Sequence, residues 1–269
     1  MGRRFENKVA FITGASAGMG AETARQLARE GARLALLARR ADNLEEVCAE
    51  IAAQGGEATP FIADVNDRAA LDAAVAGTVE KYGRIDIVLA NAGFGVTGPI
   101  YTLEVDDYRR QFETNFFGLL HTIYATLPYL KESHGQLGLL GSVAGMIGTP
   151  ATSPYNASKF AVIGLGEAIY HDLDELGVSV TLINPGFVES ELRHINNRGE
   201  LTNKPDPIPS WLVVPVEKAA RTIVNALYRR KPDVIVTNHG KVFALCKRFL
   251  PRATRWVIRR MSKGRLPKL

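Results

Sequence analysis

Hydrophobic and polar residues alternate along the chain in a repeating order of short apolar runs and longer amphipathic stretches. The runs have the length of buried strands, and the stretches between them carry apolar residues at the spacing of a helix face. Strands that alternate with helices of this length build βαβ units and a parallel sheet, so the pattern predicts an α/β fold. The predicted strands are 8–12, 33–38, 58–63, 85–90, 136–141, 178–183 and 233–237.

The longest amphipathic stretch, 105–131, has Asn115 in its interior. Asn competes with the helical backbone for hydrogen bonds, so it is an unfavourable choice inside a helix unless it has a role. The segment 187–215 has no regular period and is rich in Pro, Asn and charged residues. Its length favours a lid over a simple connection.

A glycine-rich turn links the first predicted strand to a helix that begins near Ala21. The glycines at 14, 18 and 20 let the backbone approach a diphosphate, and the helix N-terminus offers N–H groups and positive dipole to it. The alternative is a tight turn that binds no ligand. We therefore predict that this turn binds the diphosphate of a dinucleotide.

The second predicted strand ends at Ala38, and Arg39 and Arg40 follow it. Dinucleotide-binding folds commonly place an acid here to hold the adenosine ribose hydroxyls. Guanidinium groups suit a phosphate on that ribose, and an acid would repel it. The arginines therefore predict NADP(H), against the alternative that they only solvate a loop.

Tyr155 and Lys159 are four positions apart in a segment of helical pattern, which puts the phenol and the ammonium group on one helix face. A neighbouring cation favours the phenolate and lowers the pKa of a phenol from its ordinary value of ~10. The spacing alone arises by chance on many helices. It gains weight from Ser142, which follows the predicted strand 136–141.

Four motifs in this order make the chain resemble the short-chain dehydrogenase/reductase family over about residues 7–240. The resemblance implies a single Rossmann-type, doubly wound domain with a seven-stranded parallel sheet and helices on both faces. It also implies an oxidoreductase that interconverts a ketone or aldehyde and an alcohol. The motifs are Thr13-Gly14-x-x-x-Gly18-x-Gly20, Asn91-Ala92-Gly93, Ser142 with Tyr155-x-x-x-Lys159, and Pro185-Gly186.

The resemblance also implies roles for four catalytic residues. Tyr155 would donate the proton in carbonyl reduction and accept it in alcohol oxidation, while Ser142 would hydrogen-bond the reacting oxygen. Lys159 would lower the pKa of the tyrosine, together with the charge of the oxidised nicotinamide, and would bind the nicotinamide ribose. Asn115 would hold a water in the proton relay.

An NADP(H) site is expected where loops gather at the carboxyl ends of the strands. Asp64 would contact the adenine, and Ser190 would hold the carboxamide at a position where the family more often has Thr. The expected cofactor-binding residues are Gly14, Ser16, Gly18, Met19, Gly20, Arg39, Arg40, Asp64, Val65, Asn91, Ala92, Gly93, Tyr155, Lys159, Pro185, Gly186, Val188 and Ser190.

Apolar residues that follow the motifs predict a pocket for an apolar ketone or secondary alcohol, with ordinary core packing as the alternative for each residue. The expected pocket residues are Phe94, Val96, Met146, Ile147, Phe187, Leu192 and Trp211, with Ile195 and Leu212 beside them. The leading interpretation is NADP(H)-dependent reduction of an apolar carbonyl. The alternatives are an NAD-dependent alcohol dehydrogenase and a redox sensor or scaffold that binds NADP(H) without turnover.

The net charge of +5 arises at the C-terminus. Residues 241–269 hold ten Lys or Arg and no acid, whereas the remaining residues carry 23 Lys or Arg against 28 Asp or Glu. We therefore divide the chain into a domain at 1–240 and a basic amphipathic extension at 241–269. Basic amphipathic helices lie on anionic membrane surfaces or pack on their own domain or a partner subunit, and both alternatives stay open.

Composition argues against several other classes of protein. Cys48 and Cys246 lie far apart without metal-ligand neighbours, so we expect no metal site, no disulfide and a cytoplasmic protein, peripheral to a membrane if the extension binds one. The acidic body and the lack of a base-reading motif argue against nucleic acid. No apolar run reaches the ~18 residues of a membrane span. The family resemblance implies a homodimer or homotetramer formed through the long helices.

Overall fold

The computed structural model describes residues 3–190, 197, 206 and 208–262. Within this part of the chain, a seven-stranded sheet has the order β3-β2-β1-β4-β5-β6-β7, and every neighbouring pair is parallel. The predicted doubly wound α/β fold is thereby confirmed. The strands are β1 Val9–Thr13, β2 Arg33–Ala38, β3 Glu57–Ile62, β4 Ile87–Ala90, β5 Gln136–Leu140, β6 Ser179–Asn184 and β7 Asp233–Ile235.

Helices cover both faces of the sheet because successive side chains of each buried strand point to opposite sides. On β1, Ala10 and Ile12 pack into one hydrophobic core, and Val9 and Phe11 pack into the other. The helices are α1 Gly18–Arg29, α2 Ala41–Ala53, α3 Arg68–Tyr82, α4 Val105–Phe112, α5 Gly118–Ser133, α6 Ser153–Asp174, α7 Val216–Tyr228, α8 Asn238–Phe249 and α9 Pro251–Ser262.

The predicted helix 105–131 differs from the structure in its interior. A π-helical segment, Glu113–Phe117, separates α4 from α5, and Gly118 N–H donates to the carbonyl of Glu113, five residues earlier. Such wide turns occur mostly as single insertions in α-helices, often at functional sites. The insertion falls on Asn115, the residue that the sequence singled out.

The sheet reverses its strand order on either side of β1, since β2 lies on one flank and β4 on the other. Ala10 pairs with Leu34 of β2 and with Ile87 of β4. Loops that leave such neighbouring strands in opposite directions open a crevice at their carboxyl ends, which is where ligands bind in open α/β sheets. The turn after β1 and the loop after β4 therefore meet at the same place.

The C-terminal extension forms two helices, α8 and α9, that Pro251 separates at the first position of the second. Helix α8 begins at Asn238, just before the predicted boundary at residue 240, which stays a prediction. None of the described helices is long and apolar enough to cross a membrane.

Candidate active site

The turn after β1 can be built only with glycine at two positions. Gly14 has a φ of 66°, and a Cβ there would lie 2.8 Å from the Cα of Ala92. A Cβ on Gly20 would lie 2.4 Å from the carbonyl oxygen of Gly14. These contacts are shorter than any side chain permits, so the glycines are required for the turn and for its packing on the loop after β4.

The N-terminus of α1 suits an anion. Its N-cap is Ala17, which supplies no side-chain hydrogen bond, and the first turn contains no acid. Among the described residues, a Cβ on Gly18 would meet only the Ser190 hydroxyl, at 3.9 Å, so the space above Gly18 is open on this part of the chain. Helix N–H groups without a side-chain cap, facing open space, form a site for a phosphate. These features fit the diphosphate of a dinucleotide.

Asn91, in the loop after β4, braces the glycine turn. Its Nδ2 donates to the carbonyl oxygens of Thr13 at 2.9 Å and Gly14 at 3.0 Å, while its backbone N–H donates to the Thr13 hydroxyl at 3.1 Å. The N–H of Ala92 donates to the same hydroxyl at 3.2 Å. The two predicted cofactor loops are thus held together by hydrogen bonds.

Arg39 and Arg40 are both exposed beside the glycine turn. Arg39 Nη1 lies 3.4 Å from the Asp64 carboxylate, and Arg40 Nε donates to the Ser16 hydroxyl at 3.4 Å. The other Asp64 oxygen accepts from the N–H of Asn66 at 3.0 Å. Arg39 and Arg40, expected to bind a ribose phosphate, therefore lie at the same edge of the sheet as Asp64, expected to contact the adenine.

Ser142, Tyr155 and Lys159 converge at the end of β5. Ser142 follows that strand and caps a short 3₁₀ turn, Val143–Gly145, by accepting from the N–H of Ala144 at 3.1 Å. Helix α6 begins with Ser153 and Pro154 and carries the tyrosine and the lysine on its first two turns. The Tyr155 phenol and the Ser142 hydroxyl are close enough for their interaction to lower the pKa of the phenol. The structure thus assembles a phenol, a hydroxyl and an ammonium group in one place.

Burial shifts the pKa values of both Tyr155 and Lys159. It raises the pKa of Tyr155 above its ordinary value of 10.0, and the interaction with Ser142 offsets only part of that rise. Burial also lowers the pKa of Lys159 from 10.5 to about 8. Burial therefore dominates the pKa of the phenol in this structure, and the expected lowering of that pKa by Lys159 together with the oxidised nicotinamide stays a prediction.

The ammonium group of Lys159 contacts β5 and lies near the Tyr155 ring. Its Nζ donates to the carbonyl oxygen of Leu140 at 2.7 Å and lies 5.9 Å from the centre of the Tyr155 ring. The ammonium group therefore lies beside the ring that carries the phenol oxygen. At neutral pH it remains charged, because the lowered pKa is still near 8.

Asn115 binds the loop after β4. Its Oδ1 accepts from the N–H of Phe94 at 3.0 Å, and its Nδ2 donates to the carbonyl of Phe94 at 3.0 Å and to the Ser158 hydroxyl at 3.2 Å. Both amide hydrogens are used by these protein contacts. The side chain therefore links π segment, loop and α6, and its part in a proton relay stays a prediction.

Gln111 is a site residue that sequence reasoning missed. It is fully buried on α4, one turn before Asn115, and its Oε1 accepts from the N–H of Val96 at 2.6 Å. Its Nε2 donates to the carbonyl of Phe94 at 2.7 Å. The sequence could have indicated Gln111, because it is an uncharged amide four residues before Asn115 and therefore on the same helix face. The two amides together fasten the loop 94–96.

Asn156, next to Tyr155 on α6, was also missed. Its Nδ2 donates to the carbonyls of Ala144 at 2.7 Å and Ile147 at 3.0 Å, and its Oδ1 accepts from the N–H of Thr149 at 3.1 Å. It therefore holds the loop that follows Ser142. Nothing in its local sequence distinguishes it from a helix-surface asparagine.

The expected pocket residues divide by burial. Phe94, Met146 and Phe187 are half-buried at the site and could contact a substrate. Val96 is fully buried, as Ile147 nearly is, and Trp211 is 82% exposed, so none of the three has the partial burial of Phe94, Met146 and Phe187. Their contact with a substrate stays a prediction. Leu192 and Ile195 lie outside the described residues.

His239 adds an unpredicted contact on this side of the site. Its Nε2 accepts from the N–H of Phe187 at 2.9 Å, and the two rings stack with centres 5.3 Å apart. A Cβ on Gly186 would lie 2.4 Å from that nitrogen, so the predicted Pro185-Gly186 motif makes room for this histidine. Val188, the next expected residue, is buried and bridges to Val214.

Within the described residues, no group of three or more His, Cys, Asp or Glu side chains is placed to hold a metal ion. The polar groups of the site are instead a helix N-terminus, two amide side chains and the serine, tyrosine and lysine. This donor set suits a dinucleotide and an organic substrate.

Comparison with known proteins places these features in context. The family model described as short chain dehydrogenase matches residues 8–201. The chain is 35% identical over 259 residues to the 11-beta-hydroxysteroid dehydrogenase 1A of Arabidopsis thaliana, covering 93% of this chain and 74% of that protein. It is 32% identical over 197 residues to the CLA biosynthesis dehydrogenase/reductase of Lactiplantibacillus plantarum, covering 72% of this chain and 69% of that protein.

Two solved structures extend the comparison. A short chain dehydrogenase/reductase from Burkholderia phymatum in complex with NAD has a TM-score of 0.82 and 25% identity, covering 91% of this chain and 94% of its own. An alcohol dehydrogenase from Thermococcus sibiricus complexed with 5-hydroxy-NADP has a TM-score of 0.75 and 27% identity, covering 85% and 95%. Both forms of nicotinamide nucleotide are therefore found among its structural neighbours.

Proposed function

The chain belongs to the short-chain dehydrogenase/reductase family, and from this premise we propose that it is an NADP(H)-dependent enzyme that reduces an apolar ketone or aldehyde to its alcohol. General oxidoreduction between alcohol and carbonyl follows from the family. The choice of NADP(H), the direction and the class of substrate are the proposal. The observation that carries it is the convergence of Ser142, Tyr155 and Lys159 at the end of β5.

Tyr155 is suited to donate a proton. Because burial raises its pKa, the phenol is protonated at neutral pH, as carbonyl reduction requires. Ser142 supplies a hydroxyl beside it that can hydrogen-bond the same substrate oxygen. When bound, the nicotinamide supplies the hydride. The charged Lys159 stabilises the negative charge that remains on the phenol oxygen after the proton leaves.

The preference for NADP(H) is proposed from the end of β2. Ala38, Arg39 and Arg40 present cations and no acid where the adenosine ribose would lie. A ribose phosphate gains from guanidinium groups, whereas a free ribose gains more from a carboxylate. Asp64 is the nearby carboxylate, but Arg39 neutralises it.

The apolar substrate class is proposed from the half-buried Phe94, Met146 and Phe187, which offer apolar and aromatic surface on the substrate side. A relative from Arabidopsis thaliana is named a hydroxysteroid dehydrogenase, which agrees with a bulky apolar substrate class. Small charged sugars and amino acids would leave these side chains without complementary contacts.

The test is NADPH oxidation, followed by absorbance, across a panel of apolar ketones and aldehydes. We expect turnover that Tyr155→Phe reduces by roughly a hundredfold to ten-thousandfold, the usual contribution of a positioned acid. Tyr170→Phe, on the same helix, is the matched control and should leave the rate unchanged. NADPH binding without any turnover would favour a sensor, and an active Tyr155→Phe variant would refute the assigned proton donor.

A further inference from the structure

Helices α8 and α9 expose large apolar side chains among cations. On α8, Val242, Leu245 and Phe249 fall on one helix face, and Phe249 is 70% exposed. On α9, Trp256 is 61% exposed and Val257 is also exposed. Single exposed apolar residues are ordinary on a protein surface, but this series continues over both helices.

The charges on these helices all have one sign. Residues 238–262 contain seven Lys or Arg and no Asp or Glu. Two of the cations lie against exposed aromatic rings: Arg248 is 5.9 Å from the centre of the Phe249 ring, and Arg260 is 5.6 Å from that of Trp256. Aromatic rings with flanking arginines are typical of segments at a membrane interface.

The beginning of α8 is fastened to the body of the protein. Thr237 caps the helix by accepting from the N–H of Gly240, and Gly240 is buried where a Cβ would lie 2.7 Å from Val143. His239 stacks on Phe187 and contacts Phe243 edge to face, with centres 6.0 Å apart. Because these contacts fix the rotation of α8, the face with Val242, Leu245 and Phe249 is held toward solvent.

We propose that α8 and α9 together form a docking surface for an anionic lipid membrane, with the apolar side chains at the headgroup boundary and the cations on the lipid charges. Charge complementarity selects this occupant, because a membrane of acidic lipids is negative and these helices carry only positive charge. The helices are amphipathic and too polar to cross the bilayer. The proposal does not depend on the proposed enzymatic function.

Sedimentation of the full chain with lipid vesicles tests whether α8 and α9 bind a membrane. We expect binding to vesicles of phosphatidylcholine with phosphatidylserine, weak binding to phosphatidylcholine alone, and release by salt. The double variant Lys247→Glu with Arg248→Glu should lower the partition coefficient about tenfold or more, because each basic residue near the surface contributes to binding. Lys218→Glu with Arg221→Glu, exposed on α7, makes the same charge change and should have little effect.

The contribution of the apolar face to vesicle binding is tested with a separate variant and with tryptophan fluorescence. Leu245→Ser with Phe249→Ser should weaken binding without changing the net charge. Because the chain has two tryptophans, Trp211→Phe leaves Trp256 as the sole indole, and its emission should shift to the blue and be quenched by brominated lipid. A thermal unfolding midpoint close to that of the parent protein shows that each variant is folded.

Three results would overturn the proposal. They are absent or equal binding to both vesicle types, binding without quenching of Trp256, and a face that joins two copies of the chain. The last would appear as an oligomer, in the absence of lipid, that Leu245→Ser with Phe249→Ser dissociates while vesicles bind neither protein. None of these readouts uses turnover, so failure here is separate from failure of the proposed reaction.

Discussion

Arg39 and Asp64 lie at the ends of neighbouring strands, with guanidinium Nη1 3.4 Å from carboxylate Oδ2. Both groups are partly solvent-exposed, and an exposed ion pair of this length is worth ~0–1 kcal/mol. A ribose phosphate that replaces the carboxylate would make a stronger, charge-assisted contact. The pair therefore keeps Arg39 near the cofactor position without preventing it from binding a phosphate.

This relationship predicts the effect of Arg39→Asp. Loss of a hydrogen bond to a charged group costs about 1.5–3 kcal/mol, so the ratio of kcat/KM for NADPH to that for NADH should fall roughly tenfold to a hundredfold. Steady-state rates with both nucleotides measure this ratio. Asp64→Asn, which frees Arg39, should change the KM for NADPH less than about fivefold. An unchanged ratio in Arg39→Asp would show that the phosphate is bound elsewhere.

Lys159 should make stability depend on pH in the alkaline range. Its pKa is 10.5 in an ordinary environment and about 8 in the folded chain. Between these values the unfolded chain holds a proton that the folded chain has released, so the free energy of unfolding rises with pH. The full difference is on the order of 3 kcal/mol.

Urea unfolding of the wild type and of Lys159→Met isolates this contribution. The pH should run from about 8, the pKa of Lys159 in the folded chain, to 10.0, the ordinary pKa of tyrosine. The alkyl chain of Met keeps most of the packing, and other titrating groups are common to both proteins. The stability of wild type relative to the variant should increase with pH. A constant difference would mean that Lys159 has an ordinary pKa.

The sheet and the first turn could be predicted from sequence because each depends on local patterns. Seven apolar runs indicate the strands, and the turn has local reasons for glycine, since Gly14 has a φ of 66° and a Cβ on Gly20 would lie 2.4 Å from the carbonyl oxygen of Gly14. The π segment could not be predicted, since the apolar period continues through it. It accompanies packing of Phe112 on Phe116 and of Phe116 on Phe117, which only the folded chain brings about.

The residues of the candidate active site could be predicted from their type and their order along the chain, but their electrostatics could not. Spacing puts Lys159 near Tyr155, yet it does not reveal that the ammonium group binds the Leu140 carbonyl or that the phenol is desolvated. Gln111 illustrates the same limit. Its partners are backbone groups of a loop distant along the chain, so no pattern within α4 indicates them.

Gln111 therefore makes a direct test of the loop that it fastens. Gln111→Met keeps the volume but leaves the buried N–H of Val96 unpaired, which should cost about 1–3 kcal/mol of unfolding free energy. Hydrogen exchange at Val96 should accelerate, and kcat should fall because Asn115 alone then holds Phe94. Thr126→Val, which removes a buried hydroxyl bonded within α5, is the control and should cost less. Unchanged exchange at Val96 would contradict the fastening role.

His239 should couple the substrate side of the site to pH. Burial lowers the pKa of its imidazole below 6.5, and the neutral Nε2 accepts from the N–H of Phe187. As pH falls below 6.5, the unfolded chain takes up a proton that the folded chain resists, so this contribution to stability is lost on acidification.

The variant His239→Phe tests this coupling, because it keeps a ring for stacking on Phe187 and removes the hydrogen-bond acceptor. We expect the acid-side slope of unfolding free energy to become shallower and the KM for the carbonyl substrate to rise, because Phe187 is displaced. His171→Gln, at an exposed position on α6, controls for the loss of a histidine. If both variants keep the wild-type slope and KM, the imidazole only fills space beside Gly186.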